Sequence, residues 1–295
     1  MKVFVTGATG FVGSHVAREL RERGADVDDE RVDLLDRAGL ERAVTGCEAV
    51  VHVAALYSYD ADPRLIERVN VDGTRNLLDA CERKGVNRIV YTSTAGTCGP
   101  VPGRLATETD APPSWELAVP YKRTKLDAER LALAAGAVVV NPTTPVGEGD
   151  RKPTPTGRMI AGVASGRIRG FVPTTGLNLV DVRDVARGHA LALERGRPGE
   201  RYLLGGVNLP LAELFAAIAD LAGRSRPRLR VPYAVALAAG RAGIVNADEV
   251  RLARLPMYFS SGKAENLLGY KAGPVEPALA RAVSEAVGKD GKGGA

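Results

Sequence analysis

Tyr121 and Lys125 stand four residues apart in the run Tyr121-Lys-Arg-Thr-Lys125. That spacing puts a phenol and an ammonium on one helix face. A free phenol ionises near pH ~10, and a neighbouring cation favours its anion. Poised near neutrality, the phenol gives a proton to a carbonyl or takes one from an alcohol. Lowering its pKa by ~3 units corresponds to about 4 kcal/mol of differential interaction. Alone, the spacing describes a surface helix pair equally well. Two strand-like runs end in suitable companions. Residues 88–94, Arg-Ile-Val-Tyr-Thr-Ser-Thr, finish in three hydroxyls; such a hydroxyl either bonds a reacting oxygen or caps a loop. Asn141-Pro142 closes another run, facing a ligand or making a plain turn.

A phosphate cradle is written at the start of the chain. Residues 2–6 lead into Gly7-Ala-Thr-Gly10-Phe-Val-Gly13, and a helical pattern follows. Glycine allows a tight turn and lets a pyrophosphate approach the amides at a helix N-terminus. Gly13 would let that helix pack close to the strand. The strand–turn–helix context predicts a dinucleotide site rather than an ordinary turn. Coenzyme choice stays open. Asp28 or Asp29 could read the 2′-hydroxyl of NAD and Arg31 the 2′-phosphate of NADP, or all three are solvated loop charges. Asp33 either contacts adenine or caps a helix.

These residues need elements to hold them. Unbroken Val- and Ile-rich runs at 3–6, 49–53, 88–92 and 137–141 fit strands covered on both faces. Amphipathic stretches at 14–23, 65–84 and 120–135 lie between them. The alternation predicts an α/β, Rossmann-type doubly wound parallel sheet. After residue 143, Pro and Gly interrupt the rhythm. Residues 177–182 and 201–204 read as strands returning to the first sheet, and 211–222, 233–242 and 275–287 as helices of a smaller, mostly helical lobe. The expected division is a dinucleotide-binding domain of residues 1–143 plus 177–204 and a substrate lobe of 144–176 plus 205–288. Residues 289–295, rich in Gly and Lys, are expected to be disordered.

Composition narrows the function classes. Of 295 residues, 45% are hydrophobic and 25% charged, with a net charge of +5, as in soluble globular proteins. No basic run with interleaved aromatics predicts nucleic-acid binding, and no apolar stretch is long enough to span a membrane. The first residues enter a strand directly, so no signal peptide is expected. Cys47, Cys81 and Cys98 are widely spaced and odd in number. They read as reduced thiols of a cytoplasmic protein, without metal-ligand spacing. His15, His52 and His189 lack partners at ligand spacing and read as structural.

The ordered set TGATGFVG, VAA at 53–55, NVDGTRN at 70–76, YTSTAG, YKRTK and NPTTPVG resembles the extended short-chain dehydrogenases/reductases, the NAD-dependent epimerase/dehydratase superfamily. The resemblance covers nearly all of residues 1–287. In texture it is similar to the dihydroflavonol-reductase-like members and, within them, to the hopanoid-associated sugar epimerase group. It implies NAD or NADP as coenzyme. It implies Tyr121 as acid/base, Lys125 on the nicotinamide ribose, and Thr94, with Ser93 as fallback, as the catalytic hydroxyl. Asn70 would support a proton relay through Lys125. Gly7, Gly10, Phe11, Val12 and Gly13 would surround the pyrophosphate, Ala54 and Ala55 the adenosine, and Pro142 the nicotinamide. Residues 65–84 and 120–135 correspond to helices of a homodimer interface.

The chain departs from the pattern twice. Its second-strand region is short. And Leu177 or its neighbours stand where nucleotide-sugar members carry an arginine for the sugar nucleotide's pyrophosphate. Lys152, Arg158 or Arg254 would have to substitute, or are surface charges. Without such a partner a diphosphate forgoes charge-assisted bonds of roughly 1.5–3 kcal/mol each. The substrate pocket is expected from residues 143–158, 170–175 and 256–261, with Trp115 and Tyr258 as wall or core. The favoured reading is an oxidoreductase moving hydride at a secondary alcohol, ketone or aldehyde. The alternatives are an epimerase or dehydratase working through a transient ketone, and a non-catalytic dinucleotide sensor.

Overall fold

The computed structural model describes residues 1–57 and 61–290. The chain opens with β1 (Lys2–Thr6), α1 (Phe11–Glu22), β2 (Asp26–Asp28), α2 (Arg37–Val44) and β3 (Ala49–His52). There follow α3 (Pro63–Glu67), α4 (Gly73–Lys84), β4 (Arg88–Thr92), α5 (Pro120–Ala134) and β5 (Val138–Pro142). The second half carries β6 (Thr144–Val146), α6 (Pro155–Ala164), β7 (Gly170–Phe171), β8 (Gly176–Asp181), α7 (Val182–Arg195) and β9 (Arg201–Leu204). Last come β10 (Val207–Pro210), α8 (Leu211–Leu221), β11 (Leu229–Arg230), α9 (Tyr233–Arg241), α10 (Ala247–Leu252), α11 (Gly262–Leu268) and α12 (Glu276–Asp290).

Six strands form a parallel sheet in the order β2-β1-β3-β4-β5-β9. Their valines are buried because helices cover both faces. The order reverses at β1, whose chain leaves first to one side and then to the other. The carboxyl ends of β1 and β3 therefore flank the crevice where such sheets take ligands. Residues 65–84 do not form one regular helix: a π-turn over Arg68–Asp72 joins α3 to α4.

One expected strand belongs elsewhere. Residues 177–182 were expected in the main sheet, but β8 pairs with β6 and, antiparallel, with β10 in a separate three-stranded sheet. The place beside β5 is taken by β9. An apolar run marks a strand but not its neighbours. The amide of Asn178, buried in β8, instead reaches Asn208 on β10 at 2.8 Å. The small sheet packs with α6, α8 and α12 around a second apolar core that includes Leu179, Leu214, Phe215 and Leu279. Helix α12 continues to Asp290, so the expected disordered tail starts too early; its last five residues lie outside the described residues. No helix among the described residues is long and apolar enough to cross a membrane.

Candidate active site

A cavity of about 870 Å³ lies above the carboxyl ends of the main strands and runs under the second lobe. Gly7, Gly10, Phe11, Val12 and Gly13 form one end of it. Gly7 has φ +70°, and a Cβ there would stand 2.8 Å from Ala54 Cα, so the turn is pressed against the segment after β3. A Cβ on Gly13 would overlap the Gly7 carbonyl. Gly10 caps α1 without a side-chain acceptor, which leaves the first-turn amides for a ligand. This cradle, filled by any larger side chain, fits a dinucleotide pyrophosphate.

The segment opposite is fixed from below. Thr6 Oγ1 accepts from the amides of Val53 and Ala54, each at 3.1 Å, and its proton goes to His52 Nδ1 at 2.7 Å. His52 Nε2 then donates to Thr74 Oγ1 (3.1 Å), which donates to the Asn70 carbonyl. Burial, with the charge of Lys125, lowers the His52 pKa to about 3. His189 donates through Nδ1 to the Val185 carbonyl, accepts from Thr92, and is lowered by burial to about 4. His15 bridges the Glu148 carbonyl and Arg18. All three histidines are structural.

Thr94, Tyr121, Lys125 and Pro142 line the same cavity. Thr94 Oγ1 accepts from the Gly96 amide (3.2 Å), so its own proton is free to be donated. Ser93 Oγ lines the same wall, buried, with no partner among the described residues. Lys125, only 2% exposed, gives two hydrogen bonds: to Tyr91 Oη at 2.8 Å and to the Thr92 carbonyl at 2.7 Å. Burial lowers its pKa to about 7, against the pull of the Glu129 carboxylate one helical turn on. Tyr121 behaves opposite to the expectation that its neighbour lowers it. Burial, with the Tyr57 and Tyr91 phenols nearby, holds it well above the usual phenol value. Its ring tilts against that of Tyr57, centroids 4.5 Å apart. The reason is that the ammonium hydrogen-bonds Tyr91 and Thr92 instead.

Three expected residues serve the frame and do not line the cavity. Asn141 is fully buried behind the Thr94 turn; its amide donates to the Thr94 carbonyl, Thr97 Oγ1 and Glu129 Oε2. Asp33 is exposed and caps the Leu35 amide at 2.9 Å. Asn70 holds both backbone groups of Leu56 and donates to Thr124 at 3.3 Å; its side chain makes no bond to Lys125. Asp28, Asp29 and Arg31 also lie off the cavity, the first two paired with Lys2 and Arg21.

Sequence reasoning missed several groups. Glu129 ties Asn141, Thr97 and Arg201 together under the strand ends; its place four residues after Lys125 was an available signal. Lys122 meets Glu116 at 2.8 Å in a buried ion pair beside Gly96. Nothing in spacing pointed to that pair, because Glu116 comes from the turn before α5. The substrate side includes residues of the three expected loops, plus Leu211 and Phe215 of α8 and Val250 of α10. Trp115 and Tyr258 are not part of the lining. Arg254 stacks over Trp115, and Arg158 faces Glu249 at 3.5 Å.

A phenol, a lysine and a strand-end hydroxyl lining one cavity with a glycine-turn cradle are the pattern of the short-chain dehydrogenase/reductase class. The NAD-dependent epimerase/dehydratase family model matches residues 3–205, and the chain belongs to that family. It is 37% identical to a Synechocystis sp. protein carrying a dihydroflavonol 4-reductase name, over 95% of this chain and 93% of that protein. Sterol demethylase protein B of Methylococcus capsulatus is 35% identical over 79% and 78%. Among solved structures, that of gox2253 superposes with a TM-score of 0.86, 39% identity and 98% coverage of both chains. The chain is an NAD(P)-dependent oxidoreductase of the extended type, acting on a small molecule.

Proposed function

We propose that the enzyme interconverts a ketone and a secondary alcohol on a bulky, apolar molecule. The observation that carries this is the far wall of the cavity, built from Met159, Ile168, Phe171, Leu211, Phe215 and Met257. Leu177 faces the cavity where nucleotide-sugar enzymes are expected to carry arginine. Arg158, the one arginine of the lining among the described residues, is engaged by Glu249. A pyrophosphate-linked sugar would find few free charges on that wall. The sterol-related and dihydroflavonol-related relatives support the reading.

When bound, the dinucleotide supplies the hydride. The first-turn amides of α1 and the glycine turn would hold its pyrophosphate, and Ala54 and Ala55 would flank the adenosine side. Thr94 donates a hydrogen bond to the substrate oxygen and fixes its position. Tyr121, kept neutral by burial, gives that oxygen its proton. Lys125 would hold the nicotinamide ribose, and its ammonium would offset the charge left on Tyr121 until a proton from solvent replaces the one given. Ser93, buried without a partner, completes its hydrogen bonding with a ligand. Asn70 and Asn141 act as positioning residues through Leu56 and Thr94. The main-sheet half binds coenzyme and the smaller lobe selects substrate. The protein works as a homodimer through residues 65–84 and 120–135, in a reducing cytoplasm that keeps Cys47, Cys81 and Cys98 as buried free thiols.

The test is net turnover. Purified protein is titrated with NADH and NADPH by fluorescence, then given ketones of rising apolar bulk beside a nucleotide sugar. Coenzyme oxidation with bulky ketones is expected. Tyr121→Phe should slow turnover by about 10²–10⁴-fold and leave coenzyme affinity unchanged. Tightly retained NAD⁺ with isomerisation of the sugar and no net oxidation would replace this reading with the epimerase one.

A further inference from the structure

The excess positive charge of the molecule is concentrated in one segment. Residues 221–247 carry Arg224, Arg226, Arg228, Arg230 and Arg241, with no lysine and no carboxylate, in a chain whose net charge is +5. Arg226 is tied to Asp220 at 2.7 Å. The other four have no ion pair among the described residues.

The same segment exposes apolar side chains. Ile244 is 76% exposed, Leu229 63% and Val235 56%. On α9, Ala236 and Gly240 point inward, while Ala234, Val235, Ala238 and Arg241 face solvent. A surface helix of a soluble protein normally turns polar side chains outward. Scattered exposed apolar residues are ordinary, but these share one short segment with unpaired arginines.

This segment is also the rim of the cavity. Strand β11 pairs with β7, whose Gly170 and Phe171 line the cavity. Gly240 of α9 packs on Ala247 at the start of α10, and Val245 and Val250 of that hairpin reach the cavity wall. The exposed apolar surface is thus continuous with the apolar lining inside.

We infer that residues 224–244 dock on an anionic lipid surface. Arginines meet lipid phosphates while Ile244, Val235 and Leu229 enter the headgroup region, as amphipathic surface segments do. A second copy of the chain is a poor occupant, because two such faces would bring four unpaired arginines against four, with the neighbouring Asp220 already engaged by Arg226. Docking presents the cavity mouth to the bilayer, so an apolar substrate passes from lipid to cavity without crossing water. That last step rests on the apolar-substrate reading; the docking itself does not.

The experiment is co-sedimentation of the full chain with vesicles of phosphatidylcholine alone or mixed with phosphatidylglycerol, without substrate. Binding is expected to the mixed vesicles, to be weak on phosphatidylcholine alone, and to be released by added salt. Arg228→Gln with Arg230→Gln should weaken it roughly thirty-fold, and Ile244→Glu by about ten-fold or more. NAD(P)H titration should be unchanged in both variants, which shows that the fold is intact. Wild-type protein left in the supernatant, or variants that bind like wild type, would overturn the inference. So would self-association of the wild type that the variants lose, because it would assign the face to a second copy. The readout needs no turnover, so its failure leaves the proposed reaction standing, and failure of the ketone assay leaves docking standing.

Discussion

Tyr91→Phe tests how the buried lysine is controlled. Lys125 Nζ has two fixed acceptors, Tyr91 Oη at 2.8 Å and the Thr92 carbonyl at 2.7 Å, and is 2% exposed. Removing the phenol oxygen takes away one of them and leaves the ring, which sits 4.5 Å from the ammonium, in place. A hydrogen bond to a charged group contributes about 1.5–3 kcal/mol. At ~1.36 kcal/mol per pH unit, its loss moves the pKa of Lys125 roughly one to two units below its starting point of about 7. The direction is downward because the bond stabilises the cation. The assay is kcat/KM for coenzyme against pH, which reports groups of the free enzyme. In the wild type a basic limb is expected to fall through pH about 7 as Lys125 loses its proton. In Tyr91→Phe that limb should shift to acid, with a loss of roughly 10–100-fold on the alkaline side and little at the acid end. An unchanged profile would refute the reasoning. So would a uniform drop at every pH, which would mean that Tyr91 only fills space.

Three further outcomes follow from burial. Gly13→Ala drives a Cβ into the Gly7 carbonyl; it should cost about 1–3 kcal/mol of stability and abolish NAD(P)H binding in a fluorescence titration. Lys125→Met should abolish activity, and its melting temperature relative to the wild type should be most favourable at pH 6, because it removes a buried cation while stranding the Tyr91 hydroxyl and the Thr92 carbonyl. The folded pKa, about 7, lies below the unfolded value of ~10.4. The unfolded chain therefore binds the extra proton, the penalty is full below pH 7, and the favourable contribution to the variant should fade as pH approaches ~10. Lys122→Met strands the fully buried Glu116, one of whose oxygens already lacks a partner among the described residues. It should lower stability by about 3–5 kcal/mol, and adding Glu116→Met should restore most of it; thermal melts of the single and double variants check this.

Much of the frame was legible because its physics is local. Strands covered on both faces read as unbroken valine runs, which is how β1, β3, β4 and β5 announce themselves. The Gly7 turn is legible because no larger residue fits against Ala54. What failed depended on partners distant in sequence. β8 has the same texture as a main-sheet strand, and only β9 beside β5 excludes it. Asn141 ends a strand at the crevice, yet Glu129, Thr97 and the Thr94 carbonyl turn its amide away from the ligand. Asp33 carries the charge an adenosine pocket could use, but the chain after the three-residue β2 spends it on a turn. The Glu116–Lys122 pair joins a loop to a helix at a spacing that no periodicity marks.

The same desolvation that hides these groups sets the protonation state from which the site starts. Burial raises Tyr121 and lowers Lys125, and both shifts favour the uncharged forms. A neutral phenol is ready to give a proton and poor at taking one. Carbonyl reduction therefore starts from the resting protonation state, whereas alcohol oxidation must first make a phenolate. Only a cation brought close to Tyr121 can offset that cost, and the Lys125 ammonium hydrogen-bonds Tyr91 and the Thr92 carbonyl instead. The acid form of the site is thus the resting one.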